Sequence, residues 1–277
     1  MEKSTTYNPD NSFQHATVTL IGSGNLATVM GRVLHDHGLQ IRQVYSPTLL
    51  NAKLLANELG AEAISDIASL DSKSALYLLA VKDDALPAIA AKLTLSNSLV
   101  IHTAGSVSKD ILHNAATRYG VLWPVKMVRK HMQTLSGSTM VADGNTREVT
   151  REIEGLGKLF SSNVVCAGDH QRLQMHMLAS LTANFSNHLY HLAAEICEKE
   201  QLSFSLFYDI ITQSANSITT AHPRDTQAGP AFRGDDSTIK KHLSLLKDYP
   251  ETKHIYEVMT ESIQKYYPTK KQGVTTD

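Results

Sequence analysis

The sequence predicts a two-domain protein in which an α/β domain, built on a parallel β-sheet, precedes an all-α domain. In the first part, short β-branched or apolar runs alternate with helical patterns, which is typical of a parallel sheet covered by helices on both faces. After Cys166 the strand pattern ends, and residues 170–199 contain neither proline nor glycine. The length of 277 residues suits two domains of ordinary size. We therefore expect a flexible N-terminus at 1–15, the α/β domain at 16–165 and the helical domain at 166–277.

The individual elements follow from the change between strand and helix periodicity. Gly38 and Gly60 end the first two helices, because glycine readily adopts the conformation that closes a helix. The predicted strands are 17–21, 41–45, 75–81, 98–102, 119–125 and 138–142. The predicted helices are 25–37, 49–59, 84–93, 147–160, a single long helix at 170–199, 204–218, 238–246 and 252–267.

Composition excludes several classes of protein. The 26 basic and 27 acidic residues nearly cancel, so no strong field attracts nucleic acid or anionic lipid. The longest apolar run, Ala75–Val81, is far shorter than the ~20 residues that span a bilayer. The two cysteines, Cys166 and Cys197, cannot form a disulfide framework and lack zinc-site spacing. We expect a soluble cytoplasmic protein without a metal, and neither nucleic acid nor membrane as a partner.

A glycine-rich turn, GSGNLA, leads from the first strand into the first helix. Gly22 permits a tight turn, Gly24 permits close approach of a pyrophosphate, and the small Ala27 lets the helix pack on the strand. The helix N-terminus offers free N–H groups and the positive end of the helix dipole. The residues predicted here to bind a dinucleotide are Gly22, Ser23, Gly24, Asn25 and Leu26.

The end of the second strand favours NADP over NAD. NAD-binding proteins usually place an acidic residue there to hold the ribose hydroxyls, whereas this chain reads VYSPT. Ser46 and Thr48 can donate hydrogen bonds to a 2′-phosphate, and Arg42 or Lys53 can supply positive charge.

Two further strand ends complete the predicted cofactor site, because ligands of such sheets lie outside the carboxyl ends of the strands. We place Ala80, Val81 and Lys82 beside the cofactor, together with His102 and Thr103 of the next strand. For His102, contact with the nicotinamide ribose and a structural bond to a neighbouring loop are equally compatible with the sequence.

The predicted long helix carries a polar line. His176, Ser180 and Asn184 are spaced i, i+4 and i+8, so they lie on roughly one face. Histidine protonates an alkoxide or amine near neutral pH, and the other two side chains can hold a carbonyl or carboxylate. A core or surface role for His176 is the alternative. Further along, Gly229 and Arg233 are candidates for substrate binding, since a guanidinium suits a carboxylate, although a loop-pinning role also fits.

Five segments together resemble one bacterial family: TVTLIGSGNLA, LLAVKDDAL, IHTAGSVSKDIL, LQMHMLASLTANFSNHLY and AGPAFRGDDSTIKKHL. That family pairs a Rossmann-like domain, similar to deazaflavin-dependent NADP oxidoreductases and pyrroline-5-carboxylate reductase, with a helical domain of unknown function. The resemblance extends from about residue 16 to residue 246. It implies a Rossmann-like fold and NADP-linked oxidoreductase chemistry.

The combined prediction is an enzyme that uses NADP(H), with NAD less favoured, and transfers hydride to or from a small carbonyl or imine substrate. A non-catalytic dinucleotide-binding sensor or assembly protein is the alternative, because the predicted helix 170–199 has no lysine before its last residue, Lys199, to act as a general acid. Met175, Met177, Leu178 and Leu181 supply more apolar surface than one stripe requires, which predicts a homodimer formed through the C-terminal helices.

Overall fold

The computed structural model describes Phe13 and residues 16–268, so the predicted flexible segment 1–15 lies outside the described residues apart from Phe13. The chain forms two compact units, of which the first ends at Phe185 and the second begins at Ser186. The domain boundary expected after residue 165 lies earlier in the chain than this division.

One eight-stranded sheet organises the first unit, with the strand order β3-β2-β1-β4-β5-β6-β7-β8. The strands are β1 (Thr17–Ile21), β2 (Gln40–Tyr45), β3 (Glu62–Ile64), β4 (Leu76–Leu79), β5 (Leu99–His102), β6 (Arg118–Val125), β7 (Thr139–Gly144) and β8 (Val164–Cys166). All six predicted strands are present. The sequence missed β3 and β8, because three residues are too few to show a period.

The predicted parallel sheet is confirmed, and one of its strand pairs is antiparallel. β6 and β7 run antiparallel, with Trp123 opposite Val141. The chain between them, residues 126–138, contains no helix. An antiparallel return needs no helical crossover, whereas a parallel one does.

The helices are α1 (Asn25–Asp36), α2 (Leu49–Leu59), α3 (Leu86–Ala90), α4 (Arg147–Lys158), α5 (Asp169–Ala179), α6 (Ser186–Lys199), α7 (Tyr208–Ser217), α8 (Pro230–Arg233), α9 (Asp236–Leu245) and α10 (Pro250–Tyr266). Where the sequence predicts one helix at 84–93, the chain forms a 3₁₀ turn at Asp83–Ala85, and the α-helix that follows, α3, is short and ends at Ala90. The short α8 lies between the predicted helices 204–218 and 238–246 and was not predicted.

The predicted single helix 170–199 is interrupted. Residues Ser180–Phe185 form a π-helical segment between α5 and α6. Within it the hydroxyls of Ser180 and Thr182 donate to the carbonyls of His176 and Leu178, at 3.1 and 2.8 Å. Such side-chain bonds compete with the backbone hydrogen bonds of the helix and disturb it locally. The apolar periodicity of the sequence does not reveal this interruption.

The core of the first unit lies on both faces of the sheet. Leu76 and Leu78 of β4 pack into the cluster on one face, whereas Tyr77 and Leu79 pack into the cluster on the other. All four side chains are fully buried. Because both faces of the sheet are covered, β4 is a continuous apolar run. The polar loops that follow the strands lie at the edge of the sheet, and the candidate site is at that edge.

Candidate functional site

A cavity of about 610 Å³ opens at the carboxyl ends of β1, β2 and β4. The predicted cofactor residues that line it are Gly22, Ser23, Gly24, Ser46, Ala80, Val81 and Lys82. The structure therefore brings together side chains from three separate strand ends, as the fold class requires.

The turn between β1 and α1 is shaped to receive a phosphate. Gly22 has φ +125°, and a Cβ atom there would lie 2.2 Å from the carbonyl oxygen of Ala80, so only glycine fits. Gly24 precedes α1 without any side-chain cap, which leaves N–H groups of the first turn free. A Cβ built on Gly24 meets no atom within 4 Å. The turn thus faces open space with unused donors, which fits the pyrophosphate of a dinucleotide.

The mostly apolar wall of the cavity also carries a few polar and basic side chains. Its walls include Asn51 and two lysines, Lys82 and Lys92, and no carboxylate among the described residues lines it. The sequence did not identify Asn51, which lies in α2, or Lys92, which lies in the turn after α3, because only the fold brings these residues to the strand ends. A cavity with cations and no acid suits the additional phosphate of NADP.

Three residues that the sequence predicts near a 2′-phosphate do not line the cavity. Arg42 forms an ion pair with Asp71, so its charge is already used. Thr48 is exposed at the start of α2 and is not part of the cavity wall. Lys53 is exposed on α2 and also lies outside the wall.

Asn25 and Leu26 do not line the cavity by their side chains. The Asn25 amide donates to the carbonyl oxygen of Val128 at 3.2 Å, which ties the glycine turn to the loop after β6. Leu26 is half-buried and packs against the core. The groups that these two residues could offer to a cofactor are the backbone N–H groups of the first helical turn, and their predicted role in binding one stays a prediction.

His102 and Thr103 are buried. The His102 ring accepts from the Ala104 N–H at Nδ1 and donates from Nε2 to the Ser108 carbonyl, both at 3.2 Å. Burial, together with the positive charge of Arg172, lowers the pKa of His102 to about 4. The Thr103 hydroxyl donates to the Leu79 carbonyl. These contacts support the structural reading of His102, and its cofactor role stays a prediction.

A second pocket, of about 260 Å³, contains the predicted catalytic line. Its walls hold His176, Ser180 and Asn184 with Trp123 and Lys126. The i, i+4, i+8 spacing therefore brings the three predicted side chains into one pocket in spite of the π-helical segment. Every residue that lines it belongs to the first unit.

The imidazole of His176 is half-buried against two elements of the sheet. Its centroid lies 5.5 Å from that of the Trp123 ring. A Cβ on Gly105 would lie 2.6 Å from Cδ2 of His176 and 2.7 Å from Cε2 of Trp123, so the loop after β5 has no space for a side chain there. No hydrogen-bond partner of the His176 ring is present among the described residues of the first unit, which leaves its nitrogens available to a ligand.

A buried arginine, which the sequence did not single out, holds α5 against the sheet. The Arg172 side chain is 1% exposed, and its guanidinium donates to Asp169 and to the Val107 carbonyl, both at 2.6 Å. Asp143 of β7 lies 3.5 Å from the same group and accepts from Lys109 at 3.0 Å. Although burial raises it, bonds from Ser108 and Arg172 keep the pKa of Asp169 below its usual range.

Arg172 precedes His176 by one helical turn. The network that fixes the guanidinium therefore also fixes the position of the imidazole in the pocket. The sequence does not show that Arg172 is buried, because the same amphipathic pattern is compatible with an exposed arginine.

The remaining predicted residues, Gly229 and Arg233, belong to the second unit. Gly229 has φ +106° and precedes α8. Arg233 is exposed, whereas Asp235 caps α9 by accepting from the N–H and hydroxyl of Thr238. Asp235 thus acts as a helix cap.

Comparison with known proteins identifies both parts of the chain. Residues 17–105 match the family model described as "NADP oxidoreductase coenzyme F420-dependent", and residues 138–263 match a domain of unknown function, DUF2520. A solved structure from Bacteroides fragilis, described as a "putative NADP oxidoreductase", is 31% identical, with a TM-score of 0.86 over 92% of this chain and 100% of that one. The chain belongs to this family of two-part, NADP oxidoreductase-like proteins. Among curated proteins, none matches it significantly.

More distant structures share the fold of this NADP oxidoreductase-like family. 1-Pyrroline-5-carboxylate reductase from Streptococcus pyogenes is 16% identical, with a TM-score of 0.60 over 90% of this chain and 98% of that chain. An imine reductase from Myxococcus stipitatus in complex with NADP⁺ is 13% identical, with a TM-score of 0.59 over 90% of this chain and 93% of that chain.

Among the described residues, none of the helices combines the length and the apolar character that a membrane span requires.

Proposed function

We propose that this protein is an NADP(H)-dependent oxidoreductase that transfers hydride to or from a small carbonyl or imine substrate. The observation that carries the proposal is the cavity at the glycine turn, which has free N–H donors, two lysines and no carboxylate wall among the described residues. Its residues fit a dinucleotide phosphate and an additional 2′-phosphate.

The second pocket is the proposed substrate site, and it adjoins the cofactor site through the loop after β6. Val128 accepts the bond from Asn25 at the glycine turn, whereas Lys126 and Met127 line the pocket of His176. Two residues of extended chain span about 7 Å, so the turn and the pocket wall lie close together.

The residues of the pocket supply orientation and a proton. When bound, NADPH supplies hydride to the carbon of the C=O or C=N bond. The oxygen or nitrogen of that bond receives a proton from a ring nitrogen of His176, which yields an alcohol or an amine and NADP⁺. Ser180 and Asn184 hold the reacting group beside the imidazole. The Trp123 ring covers one side of His176 and limits the access of water to it.

The exposed apolar side chains of α5 and the π-helical segment support a homodimer. Met177, Leu178, Leu181 and Phe185 are each at least half exposed. Contiguous apolar surface of this kind is typical of protein interfaces. Cys166 and Cys197 are both unpaired, which agrees with the reducing cytoplasm as the proposed location.

The test combines binding with turnover. Calorimetry should show NADP⁺ binding more tightly than NAD⁺, and Lys92→Met should weaken NADP⁺ binding by roughly tenfold while changing that of NAD⁺ less. Lys53→Met, an exposed lysine outside the cavity, is the matched control and should bind like the wild type.

NADPH oxidation is then followed with a panel of keto acids, aldehydes and cyclic imines. Turnover of any of these supports an enzyme. Tight NADP⁺ binding without turnover on the whole panel would favour a dinucleotide-binding sensor instead.

A further inference from the structure

The pocket of His176 contains a cation without a counter-ion. Lys126 is the first residue after β6 and lines this pocket. Lys126 is an exposed residue at the rim of the pocket, and its ammonium donates to the carbonyl oxygen of Ser136 at 3.3 Å, a neutral acceptor that does not compensate its charge. No carboxylate in the described chain forms an ion pair with it. A compact ammonium at a concave site is a point charge suited to an anionic group.

The rest of the pocket wall is consistent with an anion as well. Its other polar side chains are those of His176, Ser180, Thr182 and Asn184, and no acidic residue of the described chain is part of it. A substrate carrying only a positive iminium or ammonium group would meet repulsion from Lys126. A substrate that also carries a carboxylate would have this charge matched.

The backbone that carries Lys126 is held in place. The amide of Asn25 donates to the Val128 carbonyl at 3.2 Å, and Arg32 donates to the Lys130 carbonyl at 2.7 Å. Both bonds connect the loop to α1. The loop is thus held on the helix that begins at the proposed phosphate-binding turn. This fixes the backbone of Lys126, from which its side chain extends, relative to the proposed cofactor site.

We propose that Lys126 binds the carboxylate of the substrate, so that the protein acts on small oxo or imino acids rather than on neutral carbonyl compounds. The inference rests on the proposed function, which it narrows to one substrate class. A volume of about 260 Å³ restricts the ligand to a small molecule, since sites for drug-sized ligands start at roughly 300 Å³. Lys126 would hold the carboxylate while His176 faces the reducible bond.

The experiment compares carboxylates with matched carboxamides, which have the same shape without the charge. Pyruvate with pyruvamide, 2-oxobutyrate with 2-oxobutyramide, and proline with prolinamide are titrated into the protein saturated with NADP⁺, and binding is followed by calorimetry. At least one carboxylate should bind roughly tenfold or more tightly than its amide. This preference should disappear in Lys126→Met.

Lys130→Met is the matched control, because Lys130 lies in the same basic loop but outside the pocket wall. It should retain the preference for carboxylates. NADP⁺ affinity is measured for all three proteins and should not change.

The outcomes separate the two proposals. Loss of the preference in both variants, or absence of any preference in the wild type, overturns the role of Lys126. Failure of the wild type to bind NADP⁺ at all overturns the proposed function itself.

Discussion

Replacing Gly24 by valine would test the phosphate-binding turn without disturbing the fold. Gly24 has φ −76° and ψ −173°, which any residue adopts, and a Cβ there meets no atom within 4 Å. A valine side chain would therefore project into the space assigned to the pyrophosphate. The neighbouring Gly22 does not allow this experiment, since a Cβ there would overlap the Ala80 carbonyl.

The expected effect on binding is large and the effect on stability small. Two charge-assisted hydrogen bonds from the first turn of α1 to phosphate are worth about 3–6 kcal/mol, so their loss should weaken NADP⁺ binding by roughly a hundredfold to ten-thousandfold. Exchanging glycine for valine at a helix N-cap costs only about 1 kcal/mol of unfolding free energy.

Gly168→Val is the matched control. Gly168 precedes α5 with nearly the same backbone angles, φ −70° and ψ 174°, also lacks a side-chain cap, and also has open space around its Cβ position. It does not line the cavity. Calorimetric titration with NADP⁺ and urea unfolding should show equal stability losses in both variants and lost binding only in Gly24→Val. A folded Gly24→Val protein with wild-type affinity would refute the assignment of the turn.

Four further expectations follow from the site and its surroundings. His176→Ala should lower kcat by about 100-fold with NADP⁺ affinity unchanged, because general acid catalysis is lost; a lower melting temperature with full turnover would instead indicate a core histidine. Met177→Glu should convert a dimer into a monomer by light scattering, and a wild-type monomer at micromolar concentration would contradict the dimer. Arg172→Met should lower the free energy of unfolding, measured by urea titration, by about 3 kcal/mol, because it breaks a buried ion pair. Arg118→Met removes a more exposed ion pair and should lower it by under about 1 kcal/mol. Equal losses in the two variants would refute the anchoring role of Arg172. The pKa of His102 is about 4 in the folded protein and about 6.5 in the unfolded chain, so between these pH values the unfolded state binds one more proton. About 3 kcal/mol of unfolding free energy should therefore be lost as the pH falls from 6.5 to 4. A His102→Gln variant whose stability depends on pH in the same way would contradict this.

Local sequence patterns were sufficient for the framework of the first unit. The β-branched run before Gly22 and the apolar run after Ala75 predicted the central strands, because burial on both faces requires continuous apolar residues. The spacing of His176, Ser180 and Asn184 predicted that they share one helix face, and in the structure all three line one pocket. In each case the information is periodic and lies within about ten residues of chain.

Side chains whose partners are distant in sequence were not predictable in this way. Arg172 meets Asp143 across 29 residues and Val107 across 65, and nothing in the local pattern distinguishes it from an exposed arginine. His102 allowed two interpretations in the sequence, and its bonds to Ala104 and Ser108 became visible only with the loop conformation.

The sequence by itself determined the strand–helix alternation, the glycine-rich turn after β1 and the absence of an acid after β2, because these depend on backbone geometry and on neighbouring residues. Tertiary structure alone decided which charges face the cavities. Arg42 is neutralised by Asp71, whereas Lys92 lines the first cavity and Lys126 the second. The physical reason is that electrostatic pairing depends on distances through space, and a sequence does not state which opposite charge the fold brings near.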